Sequence, residues 1–241
     1  MLRSAVVWQR IPYNAVSATK APRQPKPRRA SAVTPHTVER MRARLLADGR
    51  LGDATLVSVL AYAGLRPSEA LALRWGHVGD NTLHVEQAIS DGVVGRTKTG
   101  GRRSVWLFGP LGQDLREWRL ASGRPSDSAF VFPRGDGAPW RETDYRNWRK
   151  RVYRPAAEVA GEPTLRPYDL RHSYASLRIY ERALEIEVAD EMGNSPTMVR
   201  ERYGHILDEF ANGQLVNAEQ AIKEARVFAE SSQGASAAAV R

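Results

Sequence analysis

The hydrophobic pattern of this chain changes period once and then changes back. From Thr34 to Leu73 apolar residues recur at helical spacing. From Asn81 to Leu107 they fall into short runs broken by turn residues, and from Leu111 onward helical spacing returns. This predicts a mainly α fold with a small antiparallel three-stranded β-sheet, class α+β. Thr82 to Val85 and Val93-Val94 read as strands around an Asp91-Gly92 turn, and Arg103 to Leu107 reads as the third. Between the second and third, Thr97-Lys98-Thr99-Gly100-Gly101 reads as a tight hairpin that carries a lysine.

The helical parts have recognisable ends. Thr34-Pro35 offers an N-cap hydroxyl followed by proline in the first turn, and Gly49 closes that helix. Asp53 is the expected cap of the next, which Gly64 ends. Arg66 then stands just before a short helix opened by Pro67-Ser68-Glu69. Thr143 to Val159 is expected to be helical and strongly basic, with Arg146, Arg149, Lys150, Arg151 and Arg154. Helices are also expected from Pro167 to Tyr180, Leu184 to Met192, Ser195 to Tyr203 and Leu215 to Ala229. Three regions result: a basic linker with the end of a preceding domain at 1–34, a main domain at 35–230, and a disordered Ser/Ala/Gly tail at 231–241.

Charge is distributed unevenly. Residues 1–50 hold 11 Lys/Arg against 2 Asp/Glu, which accounts for the whole formal charge of +9; the remainder holds 25 of each sign. A basic arm on a balanced globule suits a polyanion, most plausibly nucleic acid, although a solvated tail has the same composition. Pro22, Pro25 and Pro27 argue against an amphipathic targeting helix in that arm. The chain has no cysteine, which excludes disulfides and thiolate metal sites and fits a reducing, cytoplasmic setting. Its longest mostly apolar run, Leu56 to Leu65, is well short of the ~18 residues of a membrane span.

No Walker loop or clustered carboxylates suggest ATP or a metal, so no cofactor is expected. A metal-free cut in a DNA phosphodiester needs a protein nucleophile, cationic donors for the phosphoryl oxygens and an acid for the leaving oxygen. Tyr, Arg and Lys fill those roles. Arginine binds phosphate through two parallel hydrogen bonds and stays charged. A tyrosine ester is reversible, but a phenol of pKa ~10 costs about 4 kcal/mol to ionise at pH 7.

Four segments carry these residue types in order: GLRPSEALALRW with Arg66, the TKTGG hairpin with Lys98, PYDLRHSYASL with Arg171, and VRERYGHI with Tyr203. Together, from about Thr34 to Phe210, they resemble the catalytic domain of the tyrosine recombinase (phage integrase) family. The resemblance implies that Arg66 and Arg171 bind the scissile phosphate, Lys98 protonates the leaving 5′ oxygen, and Tyr203 forms a covalent 3′-phosphotyrosyl link. It implies double-stranded attachment sites, a homo-tetramer on DNA, and accessory DNA-bending or directionality proteins as partners. No membrane partner is expected.

Two positions depart from that pattern. Tyr168 stands where the family usually has His, and Asn194 stands where it has His or Trp. Near pH 7 a phenol is a poor base, and an amide donates a hydrogen bond without carrying charge. Loss of a positioned donor, acid or base costs about 10²-fold or more. A second reading therefore stands beside the first: a truncated, weakly active or inactive DNA-binding remnant. A third, a type IB topoisomerase, shares the Tyr–Arg chemistry, but the two arginine boxes resemble integrases more closely. His172 and His205 fall out of register and are given no role. Plainer readings remain open: Arg171 as a buried ion pair with Asp169 or a neighbouring acid, Tyr168 as core packing, Asn194 as a helix-end partner of Gly193, and the basic run as a solvated face.

Overall fold

The structure, a computed structural model, describes residues 2–19, 33–97, 101–210 and 217–238. Helix α1 (Leu2–Val7) buries none of its residues. The main body begins with α2 (Pro35–Ala47), where the Thr34 hydroxyl accepts the Thr37 N–H at 3.2 Å. Helix α3 (Leu51–Tyr62) is buried on every side from Ala54 to Tyr62 and packs against α2, α5 (Gly109–Ala121) and α8 (Arg171–Tyr180). A helix apolar all round has to lie at the centre, and α3 is the axis of the core. The remaining helices are α4 (Pro67–Ala70), α6 (Glu142–Trp148), α7 (Arg154–Val159), α9 (Glu185–Met192), α10 (Pro196–Phe210) and α11 (Ala218–Ala238).

The fold is mainly α with antiparallel β structure, as expected, but the strands are arranged differently. There are four among the described residues, in two pairs: β1 (Thr82–Val85) with β4 (Arg103–Trp106), and β2 (Gln87–Ser90) with β3 (Val93–Arg96). The expected three-stranded sheet left out β2, which follows β1 after Glu86 alone and so merges with it in the sequence. The turn at Asp91 (φ 47°) and Gly92 (φ 79°) joins β2 to β3.

Three further expectations change. Asp53 does not cap α3; its carboxylate accepts from Arg50 Nε at 2.8 Å and from Trp148 Nε1 at 2.8 Å, tying α3 to α6. The basic helix is interrupted by a π-helical turn at Arg149–Tyr153 between α6 and α7. Helix α11 continues to Ala238, through the stretch where a disordered tail is expected from 231, because Ala, Ser and Gln tolerate helix well enough to extend one already packed on α2. Arg226 of α11 reaches Asp114 at 2.7 Å and Glu39 at 3.3 Å, beside Arg42.

Candidate active site

The site forms where the turn before α4 meets the end of α9. Gly64 takes φ +59°, and a Cβ there would lie 2.8 Å from the Tyr174 ring, so only glycine lets α3 end against α8. Arg66 follows as the N-cap of α4, with its N–H bonded to Glu69 Oε2 at 2.9 Å. Its guanidinium donates to Glu69 Oε1 at 2.8 Å, to the Gly193 carbonyl at 2.9 Å and to Asn194 Oδ1 at 3.4 Å.

Arg171, 1% exposed, is among the largest fully buried side chains. Its guanidinium donates to the carbonyls of Gly64 and Met192. Arg66 and Arg171 therefore satisfy consecutive carbonyls, Gly193 and Met192, at the C-terminal end of α9. Those carbonyls have no partner within the helix and carry the negative end of its dipole. Burial, then repulsion from Arg66, lowers the Arg171 pKa to about 10. Two cations this close favour an anion between them. The pairing of Arg171 with Asp169 does not form; Asp169 is held bidentately by Arg166 at 2.9 and 2.7 Å.

Two supporting residues have no assigned role in the sequence reading. Glu69 also takes both terminal nitrogens of Arg103, at 3.0 and 2.6 Å, while Arg103 Nε bonds the Glu191 carbonyl at 2.8 Å. Burial alone would raise the Glu69 pKa, but the bonds and charge of Arg103, then Arg66, hold it below its usual range. Glu69 was visible in the first arginine box. Arg103, at the start of a strand, gave no comparable signal.

Tyr203 on α10 is 1% exposed. Its hydroxyl lies 2.6 Å from His172 Nδ1. Burial raises the phenol pKa well above its usual value despite Arg171 and Arg202 nearby. The structure thus brings His172, set aside from sequence, onto the oxygen expected to react. Tyr168 is 37% exposed and meets the His172 ring edge-on at 6.5 Å, so it belongs to the site surface rather than to the core. With Arg66, Trp140 and Tyr145 it lines a cavity of about 350 Å³. Asn194 does take part in the end of α9, its N–H bonding the Ala189 carbonyl at 2.9 Å, and it serves as an acceptor for Arg66. Lys98 and the side chain of His205 lie outside the described residues.

Of the basic run, Arg146, Arg149, Lys150 and Arg154 line one cleft of about 330 Å³ with Arg166, whereas Arg151 stays exposed outside it. The Tyr153 hydroxyl is buried at this cleft without a hydrogen-bond partner. Among the described residues no metal-binding cluster forms, and no helix is long and apolar enough to cross a membrane.

The sequence model of the phage integrase family matches residues 32–209. Tyrosine recombinase XerC of Mycobacterium sp. (strain KMS) is 31% identical over 163 residues, covering 65% of this chain and 50% of that protein. XerC of Xanthomonas axonopodis pv. citri is 29% identical over 214 residues, covering 85% and 64%. The chain thus spans about half to two thirds of the length of these curated relatives. Among solved structures, the Tn1549 transposon integrase in complex with circular intermediate DNA superposes with TM-score 0.60 at 19% identity, covering 83% of this chain and 71% of that one. A lambda integrase dimer bound to a COC' core site gives TM-score 0.56 at 18% identity, covering 81% and 68%. With the family match running from before α2 into α10, across both arginine boxes and Tyr203, the chain belongs to the phage integrase family of tyrosine recombinases.

Proposed function

We propose that this chain cuts and rejoins DNA at specific sites through a covalent 3′-phosphotyrosyl intermediate, without metal or ATP. The observation that carries the reading is the meeting of Arg66 and Arg171 on the end of α9, with Tyr203 beside Arg171. A phosphodiester placed against the two guanidiniums would relieve their repulsion. Lys98 would supply the leaving oxygen's proton. The cleft at the π-helical turn would hold backbone phosphates away from the cut, where Arg146, Arg149, Lys150, Arg154 and Arg166 line one groove. Tyr203 is 1% exposed, so its attack on a phosphodiester requires the phenol to be uncovered. Assembly as a tetramer on two duplexes, and recruitment of accessory proteins, belong to the same proposal.

A weakly active or inactive remnant remains the second reading, favoured by Tyr168 and by Asn194, whose Oδ1 already accepts from Arg66. One experiment separates the two. The protein is incubated with nicked duplexes from a random-sequence pool, and covalent complexes are recovered after denaturation. The recombinase reading expects adducts that vanish in Tyr203→Phe. Salt-sensitive DNA binding with no adduct would establish the remnant.

A further inference from the structure

We propose that His172 is a further catalytic residue, the imidazole that takes the proton from Tyr203 as the phenol attacks phosphorus. The inference rests on the strand-cleavage reading above and deepens it. Its first support is position: Nδ1 sits 2.6 Å from the tyrosine hydroxyl, within reach for direct proton transfer. Its second support is the chemistry of the neighbours. Arg66 and Arg171 carry no acceptor. Glu69 is committed to Arg66 and Arg103, and Asp169 to Arg166. Tyr168 is a phenol and Asn194 an amide, so neither takes a proton at neutral pH. Among the described residues this leaves His172 as the group at the tyrosine oxygen able to accept one.

The fold explains why it points there. Arg171 and His172 are adjacent at the start of α8, and successive helical residues project about 100° apart. One turns towards the end of α9, the other towards α10. The imidazole ring lies between Tyr168 and Tyr203, with ring centroids 6.5 and 5.6 Å away. Arg171 on its own helix, Arg202 on α10, and Arg166 and Asp169 before α8 are the charged groups that act on it. Burial first, then Arg202, holds its pKa at about 4 against the opposing pull of Asp169. The ring is therefore neutral at working pH. Being a weak base, it accepts the proton only as the new bond to phosphorus forms, when the phenol proton becomes acidic.

In cleavage, Tyr203 Oη forms a bond to phosphorus and its proton passes to His172 Nδ1. The P–O5′ bond breaks, and O5′ leaves with a proton from Lys98. On rejoining, an incoming 5′-hydroxyl attacks phosphorus and gives its proton to Lys98. The P–Oη bond breaks, and His172 returns its proton to the phenol.

The test uses His172→Asn, whose amide oxygen can sit near the Nδ1 position and keep a hydrogen bond without accepting the proton. With duplexes captured by the wild-type protein, cleavage by the variant is expected to slow by about 10²-fold. Difluorotyrosine at position 203, a more acidic phenol, is expected to recover most of that loss while changing the wild-type rate much less. A sulfur in place of the bridging 5′ oxygen, which removes the need for an acid, is expected not to recover it. Cleavage by His172→Asn at the wild-type rate would overturn the proposal. So would a loss that difluorotyrosine leaves in place, which would mark a structural contact. In the free protein, nitrogen NMR is expected to show the proton on Nε2; a protonated Nδ1 would also overturn it. If the wild-type chain captures no duplex, the strand-cleavage reading itself fails and takes this inference with it, an outcome distinct from the others.

Discussion

At the scale of single residues, the site depends on which polar groups are left without a free choice of partner. Arg171 is buried yet charged because two main-chain carbonyls receive it, and their loss of that partner would cost more than the bonds themselves contribute. His172 is the opposite case, a basic group kept neutral by burial and by surrounding arginines. Its pKa of about 4 lies below the ordinary 6.5, so the unfolded chain takes up a proton that the folded chain refuses. Its contribution is complete above pH 6.5 and is lost as pH falls towards 4. Urea titrations of the wild type across that window should show the midpoint dropping with acidification, and His172→Asn should show a shallower drop. His77, which is also depressed, contributes equally to both proteins, so the difference isolates His172. Arg66, Arg171 and Tyr203 stand out in the sequence because each sits in a distinctive box. His172 does not, because adjacency to Arg171 says nothing about which way its ring turns.

At the scale of elements, two junctions decide whether the site assembles. The first is the end of α3, where Gly64 gives its carbonyl to Arg171 and packs against Tyr174. Gly64→Ala meets both a left-handed backbone and a rigid ring, so denaturant unfolding should show a loss of about 1–3 kcal/mol. Strand cleavage should fall with it, since the carbonyl that orients Arg171 must shift. The second junction is α11 on α2. Glu39, Arg42, Asp114 and Arg226 form a buried cluster of two carboxylates and two guanidiniums. Arg226→Met leaves the carboxylates one cation short, an expected cost of about 3–5 kcal/mol. Amide hydrogen exchange should then be fastest along α11. The sequence showed the helices of both junctions but not the junctions, and it missed β2 because one residue separates that strand from β1.

At the scale of the molecule, net charge lies in the first fifth of the chain, while the cations that surround the site are embedded in a balanced body. A separate group of cations lines the cleft at Arg149–Tyr153. For binding to non-specific duplex, Arg149→Gln combined with Lys150→Gln should flatten the plot of log affinity against log salt by roughly 0.9 for each phosphate that is no longer neutralised. An unchanged slope would mean that this face points away from DNA. The sequence by itself determined the mainly helical class, the ends of most helices, and the residues with chemistry suited to a phosphodiester, because periodicity, capping and side-chain type are local properties. Tertiary structure alone decided which of those residues meet. Arg171 finds Gly64 across 107 positions and Arg66 finds Gly193 across 127. Contacts at that separation exist only because α3, α8 and α9 pack together, and the same packing turns His172 onto Tyr203.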